Sequence, residues 1–88
     1  MKKRIAILGS TGSIGKTSLN IFKNNPKKFK IVLLSANSNY KSICKQIKYF
    51  KPKYFIINNH KVFQKTKKKF TKRKIKILNN FNFFKSKK

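Results

Sequence analysis

The sequence predicts an α/β domain of three or four parallel strands alternating with helices. Short apolar runs rich in β-branched residues recur at positions 4–8, 29–36, 54–57 and 75–78. Between them lie stretches whose apolar residues fall at helical spacing, and the connections are short. Strand and helix alternating in this way is the pattern of a parallel sheet.

The first run, RIAIL (4–8), is apolar and stopped by Gly9, as a buried strand would be. Ile14, Leu19, Ile21 and Phe22 then set an imperfect helical face up to about Asn24, with Thr17 and Ser18 in the first turn. Asn24, Asn25 and Pro26 end that helix, since proline cannot continue it. FKIVLLSA (29–36) is nearly continuous in apolar residues, the mark of a strand buried on both faces.

Asn37, Ser38 and Asn39 form a turn able to cap a second helix, on which Tyr40, Ile43, Cys44, Ile47 and Phe50 share a face. Lys51 and Pro52 end it, and YFII (54–57) is the third strand. Beyond residue 60 the pattern weakens: Val62, Phe63 and Phe70 suit a basic helix, and IKIL (75–78) suits a fourth strand. The domain is expected over 1–78, with 79–88 an unpacked basic and aromatic tail. Phe81, Phe83 and Phe84 read as residues without an element to pack on, in preference to membrane or partner anchors.

Charge narrows the function. The 88 residues contain 25 Lys plus Arg and no Asp or Glu, a net charge of +25. On a sphere of radius about 15 Å, the screened self-repulsion of such a chain is on the order of 30 kcal/mol. The unfolded chain shares part of that penalty, but a domain's whole stability is only roughly 5–15 kcal/mol. The chain is therefore expected to need an anionic partner. Without carboxylates it has no Asp/Glu acid–base pair and no hard-metal cage, so neither catalytic nor metal-binding residues are expected.

The cations are 23 Lys and only two Arg, Arg4 and Arg73. Dedicated nucleic-acid readers favour the planar arginine fork, so the composition suits non-specific, salt-sensitive polyanion binding better. Cys44 stands alone and reads as a small buried hydrophobe, and His60 as a loop residue without a catalytic partner. No apolar run approaches the about 18 residues of a membrane span, and the one at 5–8 falls short of a signal peptide's about 7–15. A cytoplasmic protein is expected.

The chemistry concentrates in LGSTGSIGKTS (8–18). The P-loop pattern G-x-x-x-x-G-K-[ST] fits Gly15, Lys16 and Thr17, and the dinucleotide pattern G-x-G-x-x-G fits Gly12 and Gly15. Both want a glycine at position 10, where Ser10 stands; the available glycine is Gly9. Lying between a strand and a helix N-terminus, the loop suits a phosphate under either pattern, because free amides and the helix dipole point there. The P-loop alternative suffers from the spacing, since that loop wraps phosphates with a fixed set of amides. It also lacks a Walker-B carboxylate.

Gly9, Gly12 and Gly15 suit a variant dinucleotide turn, and so a Rossmann-like, partial dinucleotide-binding domain. An NAD site normally places Asp or Glu at the end of the second strand. Here that region is SANSN (35–39) followed by Lys41, which favours NADPH. A small nucleic-acid-binding protein and a nucleoside-triphosphate-binding domain are the alternatives.

The strings AILGSTGSIGKTSL, NNPKKFKIVLLSANSN and QIKYFKPKY together resemble the N-terminal region of the 1-deoxy-D-xylulose 5-phosphate reductoisomerases. These are NADPH-dependent enzymes of non-mevalonate isoprenoid biosynthesis. Residues 4 to about 57 carry the resemblance, which thins towards Leu78. It implies cofactor contacts at Thr11, Gly12, Ser13 and Ile14, beside the Gly9 that the glycine spacing already adds to the cofactor turn, and again at Asn37, Ser38 and Asn39. Asn37 and Ser38 stand where many relatives have glycine and lysine, and Ser18 and Asn20 replace the usual threonine and aspartate.

For the full enzyme the resemblance implies a homodimer and a divalent metal, Mg or Mn. The metal would polarise the substrate's carbonyl and hydroxyl oxygens as its skeleton rearranges. NADPH then supplies the hydride that yields 2-C-methyl-D-erythritol 4-phosphate. The family's metal and substrate residues fall beyond position 88, so this chain reads as the NADPH-binding part, inactive by itself.

Overall fold

The computed structural model describes residues 2–82; residues 83–88 of the expected tail, with Phe83 and Phe84, lie outside them. The elements in order are β1 (Lys3–Leu8), α1 (Ser13–Lys23), β2 (Phe29–Ala36) and α2 (Tyr40–Phe50). They are followed by β3 (Tyr54–Ile57), α3 (His60–Lys69) and β4 (Lys76–Leu78). Among the described residues the four strands make one parallel sheet in the order β1-β2-β3-β4. Short crossovers bring each strand beside its sequence neighbour, which gives the expected Rossmann-like α/β arrangement.

Leu34, Phe55 and Ile57 from the central strands and Ile43 from α2 are fully buried, with Ile47, Phe70 and Ile77 closing round them. Burial of each such side chain contributes about 1.5–3 kcal/mol. With no carboxylate to pair with, several cations lie over aromatic rings instead. Lys65 Nζ is 4.3 Å from the Tyr40 ring centroid, and Lys23 Nζ is 4.9 Å from that of Tyr49. Cys44 is buried, as expected.

Several expectations need correction. Among the described residues β1 lies at the sheet edge and pairs only with β2; Ile7, on its core-facing side, is buried, while Leu8, on the opposite face, is 65% exposed. The last three residues of β2, Leu34, Ser35 and Ala36, are buried on both faces, whereas Val32 and Leu33 are only partly buried. The buried stripe of α1 is Gly15 and Leu19 with Phe22 packed beside them, while Ile14 is 84% exposed. The helix is rotated because Gly15, lacking a side chain, lets its backbone settle against the preceding loop. His60 is no loop residue: it begins α3, behind Asn59 as cap. Thr66 is fully buried on that helix, its hydroxyl donating to Val62 O at 2.7 Å. The Asn79 side-chain amide donates to Ile57 O at 2.9 Å, tying that residue to the end of β3.

Candidate functional site

The glycine loop leaves the carboxyl end of β1 and turns back on itself. Gly9 adopts φ +70°, a left-handed conformation that glycine takes without the clash of a Cβ. Its carbonyl accepts from Gly12 N at 3.1 Å, closing the turn. A Cβ on Gly15 would run into the Gly9 carbonyl oxygen and lie 2.7 Å from Ser10 Cα. Gly9 therefore makes the turn, and Gly15 lets α1 start directly against it.

Ser10 is the fixed point of the loop and is fully buried. Its amide donates to Ser35 O at 2.7 Å, and the neighbouring Gly9 amide donates to Ser35 Oγ at 3.2 Å. Its hydroxyl donates to Gln46 Oε1 at 2.6 Å, and Gln46 Nε2 donates to Ser10 O at 2.9 Å. A serine thus stands where both glycine patterns expect glycine because this position anchors the loop to β2 and α2.

Beyond that anchor, donors are left over. The N-cap of α1 is Gly12, in an extended conformation with no side-chain cap, and no acidic residue follows in the first turn. The amides of Ser13, Ile14 and Gly15 have no acceptor among the described residues. A groove of about 490 Å³ opens over them, between α1 and the end of β1, lined by Leu8, Gly9, Gly12 and Ile14 among others. Ile14 contributes its amide while its side chain lies exposed at the groove. Thr11 is half-buried within the loop. The Thr17 hydroxyl donates to Ser13 O at 2.9 Å within the helix, so it is turned away from the metal-binding role a P-loop would give it.

The second predicted cluster lies at the same edge of the sheet, two residues beyond Ser35. Asn37, Ser38 and Asn39 are exposed and line no part of the groove. Asn39 Oδ1 accepts from Ser42 N at 3.2 Å, capping α2, while its Nδ2 stays available as a donor. Asn37 O accepts from Asn59 N at 3.0 Å, joining this turn to the start of α3. Such a site beyond the carboxyl ends of parallel strands is where open α/β sheets take their ligands. Among the described residues no cluster of three His, Cys, Asp or Glu could hold a metal.

A family model described as "1-deoxy-D-xylulose 5-phosphate reductoisomerase" matches residues 5–82. The chain belongs to that family. It is 48% identical over 80 residues to the reductoisomerase of Pelagibacter ubique, covering 91% of this chain and 21% of that protein. With the Buchnera aphidicola reductoisomerase it shares 46% identity over 74 residues, 84% of this chain and 19% of that protein.

The fold is similar to that of the Zymomonas mobilis reductoisomerase solved with NADPH. There the TM-score is 0.81 at 23% identity, over 89% of this chain and 21% of that one. A DOX-P reductoisomerase solved with NADPH, fosmidomycin and magnesium gives a TM-score of 0.84 at 25% identity, over 92% and 20%. The chain spans about a fifth of the length of these reductoisomerases.

Three residues of the site escaped sequence reasoning as working parts: Ser10, Ser35 and Gln46. Ser10 looked like a departure from a pattern, and Ser35 like the polar end of a strand. A glutamine at position 46, between apolar Ile43 and Ile47 on one helix face, was the available signal.

Proposed function

We propose that this chain is the NADPH-binding part of a 1-deoxy-D-xylulose 5-phosphate reductoisomerase. Gly9, Thr11, Gly12, Ser13 and Ile14 cradle the pyrophosphate, and Asn37, Ser38 and Asn39 meet the adenosine ribose and its 2′-phosphate. One observation carries the reading: the α1 N-terminus presents amides without acceptors among the described residues, beside a glycine turn. Uncapped amides at the positive end of a helix dipole favour a phosphate. The relatives solved with NADPH support the choice of nucleotide. The acid-free turn at 37–39 and nearby Lys41 support NADPH over NADH.

When bound, NADPH supplies a hydride; the residues of this chain hold and orient it. The metal of the family does not fit here, since the chain has no Asp or Glu, and no step is assigned to it. Reductive isomerisation, the phosphosugar substrate and a homodimer belong to the full-length enzyme in this reading, whose place is the cytoplasm. Residues 1–78 form the cofactor-binding unit, with Asn79 tied to the end of its third strand. The surplus of lysines adds weak, salt-sensitive binding to polyanions in general.

The test is a titration of the chain with NADPH, NADH, ATP and a short RNA at low and physiological salt. Saturable binding of NADPH that survives the higher salt and exceeds the other three is the expected result. Equal binding of all four that fades with salt would leave a polycation without a cofactor site.

A further inference from the structure

Gln46 is a polar side chain on the buried face of α2, alongside Ile43, Cys44 and Ile47. An amide there needs partners for both its oxygen and its nitrogen, because burying either unpaired is costly. It finds both on one residue. The Ser10 hydroxyl donates to Oε1 at 2.6 Å, and Nε2 donates to the Ser10 carbonyl at 2.9 Å. Turning the carboxamide over would set Oε1 against that carbonyl, two acceptors face to face, so the pairing also fixes which atom is which.

Ser10 lies 36 residues away in sequence, inside the loop whose far end supplies the open amides of Ser13, Ile14 and Gly15. Among the described residues the other restraints on the loop are the Ser35 contacts to Gly9 and Ser10, the Gly9–Gly12 turn, the Lys16 N to Gly12 O bond and the seating of Gly15 against Gly9 and Ser10. The Ser35 contacts hold the loop to its neighbouring strand, whereas the Gln46 pair ties it to a helix. An interaction that satisfies a donor and an acceptor of one residue together sets orientation as well as distance.

We infer that Gln46 is the positioning residue of the phosphate-binding loop: its carboxamide clamps Ser10 and so aims the open amides of Ser13, Ile14 and Gly15. The inference rests on the NADPH reading above. Gln46 touches no phosphate; it acts through the backbone it holds.

The experiment compares wild type, Gln46→Leu and Asn59→Ala by NADPH affinity and by hydrogen exchange at the bonded amides of Ser10, Gly12 and Lys16. Asn59→Ala removes a helix cap outside the loop and serves as the destabilised control. Gln46→Leu should weaken NADPH binding about tenfold and speed exchange at those three amides by about the same factor. Asn59→Ala should leave both within about twofold of wild type. Equal behaviour of the two variants would overturn the inference.

If Gln46→Leu does not fold, Gln46→Glu takes its place, since it keeps an acceptor for the Ser10 hydroxyl but sets a second acceptor against the carbonyl; the same result is expected. Should wild type bind no NADPH, the cofactor reading fails by itself. The exchange rates then decide the inference: faster loop exchange in the Gln46 variant alone upholds it, and unchanged exchange refutes it.

Discussion

α2 and α3 begin alike, and α1 begins differently. Asn39 Oδ1 accepts from Ser42 N at 3.2 Å, and Asn59 Oδ1 accepts from Val62 N at 3.0 Å. In each case an asparagine satisfies the third amide of its helix, the ordinary means of closing a helix start. α1 begins on Gly12, which has nothing to offer, and its first amides face an open groove. The chain is rich in asparagine and uses it as a cap twice, so a glycine at the third start leaves the amides free for a ligand. In a chain of net charge +25, an anion bound there also supplies the negative charge the protein lacks.

The strongest way to break this contrast is to fill the space between loop and helix. Gly15→Val places side-chain carbon against the Gly9 carbonyl and Ser10 Cα. We expect a loss of about 3 kcal/mol of stability in denaturant unfolding, with NADPH binding abolished.

Giving α1 the kind of cap that α2 and α3 carry sharpens the contrast. A Cβ at Gly12 meets Gly9 O at an ordinary 3.5 Å, so the substitution Gly12→Asp fits sterically. The carboxylate caps the helix and favours its dipole, so the unliganded chain should melt higher. NADPH affinity should fall at least about tenfold, because a negative charge then occupies the phosphate position.

The smallest effect on the cofactor should come from the opposite exchange. Asn59→Ala removes a cap from α3, for a cost of about 1 kcal/mol. NADPH affinity measured by fluorescence titration should stay close to that of wild type.

The strands of this fold are legible because β-branched runs such as YFII can hide nowhere but in a sheet. The order of those strands is not written in any one of them, and so β1 looked buried although it lies at an edge with Leu8 exposed. Gly15 carries no apolar signal yet decides which face of α1 turns inward. Thr66 is buried among lysines that dominate any reading of α3, and its hydroxyl is satisfied within its own helix.

At the site, the glycines and the Asn-Ser-Asn turn were visible as local chemistry. The Ser10–Gln46 clamp was not, since it exists only once α2 has packed beside the loop. Local patterns mark where backbone must bend or approach; long-range hydrogen bonds that hold the bend become visible only in the folded chain.

The most direct measurement is an amide NMR titration with NADPH at physiological salt, following α1 and α3 together. We predict saturable shifts concentrated at Thr11, Gly12, Ser13, Ile14 and Gly15 and at Asn37, Ser38 and Asn39, with His60, Lys61 and Val62 at the capped start of α3 left in place. Shifts spread evenly over the lysine-bearing surface, or larger at α3 than at α1, would contradict this.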